Sequence, residues 1–74
     1  MEEIYKGHYF QSSARQLPES GRWTAQVLIH WTNGPHEQSR QFDVKRGFAT
    51  EVDAQMAGLM FAKKWIDDGK PKLR

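Results

Sequence analysis

Residues 22–31, RWTAQVLIHW, alternate with a period of two. Trp23, Ala25, Val27, Ile29 and Trp31 make one apolar row, and Thr24, Gln26, Leu28 and His30 make a mostly polar row between them. Such alternation marks a β-strand with one face on a core and one face open. The strand is followed by TNGP, and Asn33-Gly34 between two extended runs is a strong hairpin signal. A third run, about 37–44, carries Phe42 and Val44 on one side. Setting Trp31 opposite His36 brings Ala25 to Phe42 and Trp23 to Val44, so that all the apolar side chains share one face.

Upstream, the apolar and aromatic residues Ile4, Tyr5, Tyr9 and Phe10 predict a first strand over about 4–15. It ends at the turn-forming stretch LPESG, residues 17–21. Antiparallel pairing places Phe10 opposite Ile29 on the apolar face. The other face then collects Tyr9, Gln11, Ser13 and Arg15, then Thr24, Gln26, Leu28 and His30, then Ser39, Gln41 and Asp43.

Downstream, Thr50 is a suitable N-cap, with Asp53 in the N3 position and Glu51 and Asp53 favourably placed in the first helical turn. At 3.6 residues per turn, Ala54, Gly58, Leu59, Phe61, Ala62, Trp65 and Ile66 form one broad apolar face. The small residues 54, 58 and 62 let the helix lie close to a sheet. Gly69 and Pro71 stop it. The expected structure is therefore α+β: a single domain over residues 1–74 with a three-stranded antiparallel meander (about 4–15, 22–31, 37–44), one C-terminal helix (about 51–68) and a tail (69–74).

The 74 residues put the chain near the lower size at which one apolar core suffices, and three Trp, four Phe and two Tyr supply much of the area to bury. The absence of cysteine rules out disulfides and thiolate zinc sites. Apolar runs such as AGLMFA at 57–62 fall short of a membrane span, and MEEIYKGHYF is not a secretory leader pattern. A soluble cytoplasmic protein with no membrane association is expected.

Eleven basic and nine acidic side chains give a net charge of +2, too even a balance to name a partner. Of the histidines, His8 and His30 fall on opposite faces and His36 lies beyond the turn, so no metal ligand set forms. The sequence holds no nucleophile–base pattern, paired-carboxylate arrangement or phosphate-cradling glycine loop. Neither an enzyme, a cofactor nor a small-molecule substrate is expected.

Two features point to binding. Met56 and Met60 stand one turn apart on the polar side of the helix, beside Asp53, Lys63, Lys64 and Asp67, where soft side chains suit a protein partner or a second copy. On the polar sheet face, Arg15, Thr24, Gln26, His30 and Gln41 have the chemistry to contact nucleic acid, since a β-ribbon fits the major groove and glutamine can read adenine. Acidic Asp43 and Glu37 fall on that same face. Asp67 and Asp68 occupy the last helical turn against the dipole, and Lys63 and Lys64 are expected to pair with them.

The motif Tyr5-x-Gly7, Gly21-Arg22-Trp23-x-Ala25-x-Val27 and Phe48-x-Thr50-x-x-x-Ala54 resembles the APETALA-type DNA-binding domain and, in layout, the arm-binding N-terminal domains of phage integrases. That resemblance implies DNA reading through the exposed sheet face, at Thr24, Gln26, His30 and their neighbours. Phe48-x-Thr50, Ala54 and Trp65-Ile66-Asp67-x-Gly69 resemble more closely a group of small stand-alone bacterial proteins without an assigned activity. The second resemblance implies the fold only. The leading expectation is a non-enzymatic binding or regulatory module for a protein or for itself; the alternative is a DNA-binding domain.

Overall fold

The computed structural model describes residues 1–70. It is an α+β domain of four strands and one helix: β1 (Glu2–Tyr5), β2 (His8–Gln16), β3 (Trp23–Asn33), β4 (His36–Phe48) and α1 (Glu51–Asp67). The strands form one antiparallel sheet in chain order. The expected single first strand is thus two strands, and the sheet has four members where three were predicted. The break is the tight turn at Lys6-Gly7, where φ is +47° and +75° and Tyr5 pairs with His8. Two successive positive φ values characterise the type I′ hairpin turn, whose twist suits the flanking strands.

Phe10 lies opposite Ile29, as the alternation predicts. In the last hairpin the register is shifted by two residues from expectation. Asn33 pairs with His36, so the loop is Gly34-Pro35, and Trp31 meets Gln38 while Val27 meets Phe42. Gly34, at φ +63°, takes the first loop position ahead of proline, the residue order of a type II′ turn. A shift of two preserves the faces. β4 runs on to Phe48, past the predicted end at 44, because an irregularity opposite Thr24 absorbs extra residues around Lys45–Gly47 and returns Phe48 to face Trp23.

α1 covers the apolar face. Phe10, Val27, Ile29, Phe42, Leu59, Ala62 and Trp65 form the buried core, with Tyr5, Trp31, Phe61 and Ile66 packed around it. Phe42 sits edge-on to both Phe61 and Trp65, at ring separations of 5.3 and 5.0 Å. Ala54, Gly58 and Ala62 are all buried, so the small-residue stripe does face the sheet.

The helix ends are satisfied locally. Thr50 accepts a hydrogen bond from the Asp53 backbone N–H at 3.1 Å. At the other end Gly69, at φ +85°, donates to Ile66 O, and Lys70 donates to Trp65 O. These two bonds make a Schellman motif. Pro71 and the rest of the expected tail, residues 71–74, lie outside the described residues.

The acidic C-terminal turn is paired differently from expectation. Asp67 accepts from Lys6 at 2.6 Å and from the Tyr5 hydroxyl at 2.9 Å, while Lys63 pairs with Glu3. The β1–β2 hairpin, which the sequence did not reveal, supplies both partners. No described helix is long and apolar enough to cross a membrane.

Candidate functional site

Two surfaces hold the residues that the sequence singles out. The first is the back of α1. Met56 is 50% exposed and Met60 68% exposed, and Val52, one turn earlier, is 54% exposed. Steps of four residues stack these side chains into a ridge pointing away from the sheet. Val52 was missed by sequence reasoning because it lies in the capping turn, although the same four-residue spacing would have found it.

The second surface is the uncovered face of the sheet. Its rows run Ile4, Tyr9, His30 and Ser39, then Glu2, Gln11, Leu28 and Gln41, then Ser13, Gln26 and Asp43. Arg15, Thr24 and Gln26 come together in one depression at the end of the sheet marked by the irregularity, joined there by Asp43, Lys45 and Arg46. Gln26 also borders a central depression with Gln11 and Gln41. His30 lies toward the opposite end, stacked on Tyr9 at 6.2 Å, and is not part of the cationic group. The five predicted contact residues therefore share a face but not a site.

The irregularity in β4 completes the cationic cluster. Lys45 falls on the outer face by period alone, two residues after Asp43, and the extra residues of the strand re-aim Arg46 into the same depression as Arg15. Thr24 fixes that geometry by donating its hydroxyl to Val44 O, and Arg22 does so by donating to Gly47 O at 2.9 Å.

Charge along the face is mixed. Besides Arg15 and Lys45 the face carries Glu2, Glu37 and Asp43, each in a row that holds no basic residue. The basic excess of the chain resides in its last residues: Lys70, Lys72 and Arg74 account for three of eleven basic side chains, leaving eight against nine acidic ones, a net charge of −1 up to Gly69.

Among the described residues, titration is perturbed at the Lys6–Asp67 contact and at Tyr9. Hydrogen bonding to Asp67, and then its charge, raise Lys6; the same contact and the Tyr5 hydroxyl lower Asp67. The neighbouring Glu2 carboxylate, as hydrogen-bond acceptor, raises Tyr9. His8 is buried, and its Nδ1 must donate to Lys6 O at 2.7 Å because a carbonyl only accepts. Its Nε2 is enclosed without a hydrogen-bond partner. His8 is thus tied to the β1–β2 turn and packed on Trp31, at a ring separation of 5.4 Å. No three His, Asp or Glu side chains converge as metal ligands among the described residues.

Comparison of the chain with protein-family models, curated proteins and solved structures finds no match in any of the three.

Proposed function

We propose that this domain is a non-enzymatic interaction module whose partner is a protein, and that Met56 and Met60, extended by Val52, form its contact ridge. The supporting observation is the exposure of three apolar side chains, one turn apart, on the helix face turned away from the core. Each is at least half exposed and none belongs to the buried core, and unbranched methionine adapts to differently shaped partners. The near-even charge of the body suits such a partner better than it suits a polyphosphate. The resemblance to small bacterial stand-alone proteins belongs to the same reading, and a cysteine-free chain fits a reducing cytoplasm.

The test is the double variant Met56→Lys/Met60→Lys, compared with wild type for folding and for affinity capture of partners. The expected variant melts as wild type does and loses the captured partner. Unfolding would make the two side chains core, and unchanged capture would remove them from the interface; either result defeats the reading.

One observation favours a second reading, DNA binding through the sheet face. Arg15, Lys45 and Arg46 gather beside Thr24 and Gln26, a grouping suited to a phosphate beside a base edge. Amide NMR titration with duplex DNA at low and then moderate salt tests it. Salt-reversible shifts centred on Arg15, Thr24 and Gln26 are expected if it holds. Silence at both salts disposes of it.

A further inference from the structure

The two edges of the sheet are unequal. β1, at one edge, has four residues, whereas β4, at the other, has 13. β4 pairs with β3 on one side, and among the described residues no strand lies along its other side. Nearly all of it is exposed; Phe42 alone is buried. A long strand of this kind offers a row of unsatisfied N–H and C=O groups to another strand.

We propose that the free edge of β4 pairs antiparallel with β4 of a second copy, about a two-fold axis through Gln41, joining two sheets into one. The inference rests on the reading of the domain as a protein-binding module but uses a surface distinct from the helix ridge.

The register follows from charge. A two-fold axis normal to the sheet keeps both helices on one side and sets outer-face residues of β4 against outer-face residues of its copy. Centred on Gln41, Glu37 of each chain meets Lys45 of the other, so the opposite-charge pair forms twice. Ser39 meets Asp43, and the Gln41 amides meet each other. On the inner face Gln38 meets Val44, and Arg40 comes beside Phe42.

Neighbouring registers lack this complementarity. Centring on Arg40 sets Arg40 against itself and Glu37 against Asp43 twice, which like-charge repulsion disfavours. Centring on Phe42 forms no opposite-charge pair and opposes two rings already packed on Phe61 and Trp65. Pairing ends at Lys45, where the irregularity of β4 begins. The charges on this edge therefore select one register and penalise the others.

Sedimentation equilibrium of the whole chain, from micromolar to near-millimolar concentration at low salt, tests the proposal by charge exchange. Glu37 and Lys45 are both exposed, so reversing them leaves the core intact. Wild type is expected to dimerise. Glu37→Lys or Lys45→Glu alone places two like-charge pairs across the axis and weakens the dimer by about tenfold or more. The double variant restores it. A wild type that stays monomeric overturns the proposal, as does a single reversal that dimerises like wild type. A dimer indifferent to all these charge changes but abolished by Met56→Lys/Met60→Lys also overturns it, while upholding the helix ridge.

Discussion

Gly58 of α1 lies directly on Ser12 of β2: a Cβ on this glycine would stand 2.2 Å from the Ser12 Oγ and 2.7 Å from a Val27 methyl carbon. The Ser12 hydroxyl in turn donates to Gln55 O at 2.8 Å, so a hydrogen bond joins helix and sheet beside this contact. Ser12 is 2% exposed and β2 is flanked by β1 and β3, which leaves the hydroxyl little room to yield.

Gly58→Ala is accordingly expected to destabilise the domain. Alanine gains about 1 kcal/mol of intrinsic helix propensity over glycine. Overpacking a well-filled contact costs about 1–3 kcal/mol, and here the added carbon also displaces the Ser12–Gln55 bond. The clash wins by about 1–3 kcal/mol, readable as a lower urea midpoint. A variant more stable than wild type would mean that α1 slides over β2 freely. The companion variant Gly58→Ala/Ser12→Ala, which removes the obstructing hydroxyl, is expected to recover part of the loss.

The contact joining Asp67 to Lys6 and Tyr5 predicts how stability varies with pH. Asp67 has its pKa lowered by folding, so its contribution is present above the ordinary carboxylate range and is lost as pH falls through the folded value. Lys6 has its pKa raised, so its contribution is present below the ordinary lysine value and is lost as pH rises through the folded one. The contact therefore acts evenly across neutral pH and vanishes at both extremes. Both groups are solvent-exposed, so the effect is small and salt-sensitive. Asp67→Asn is expected to melt slightly below wild type at pH near 7 and to converge with it well below about pH 4. A gap that persists in acid would assign the loss to something other than charge.

Much of this architecture is legible in the sequence because period and packing agree. The alternation of Trp23 to Trp31 fixes which face of β3 is core, and the spacing of Ala54, Gly58 and Ala62 identifies the stripe that meets it. The two-residue error in the last register left the faces intact because it was even, and it arose from reading Asn33 as part of the loop when it closes the ladder against His36. The partners of Asp67 were illegible for another reason: they lie 62 and 61 residues away, on a hairpin that hydrophobic periodicity does not announce. Of the candidate contacts, Met56 and Met60 were placed by helical geometry alone. In the cationic grouping Lys45 shares the face of Arg15 by period alone, but Arg46 joins it only through a local irregularity in β4, which period-two reading assumes away.

The turn that separates β1 from β2 yields the last prediction. Lys6 and Gly7 both adopt positive φ, but the two positions differ chemically. A lysine there already bears the steric strain that an L side chain meets in the left-handed region, and its ammonium is bound to Asp67. Gly7 has open space around the position of a Cβ, with no heavy atom within 4 Å, so replacing it adds backbone strain without a clash. Gly7→Ala should therefore cost about 1–2 kcal/mol, the penalty for an L residue in that region. Gly7→Asn should cost less, since asparagine tolerates left-handed φ. Because β1 pairs only with β2, the loss should appear first as faster hydrogen exchange across Glu2–Tyr5, with β3 less affected. Equal acceleration in β1 and β3 would instead show that the short hairpin and the rest of the sheet open as one unit.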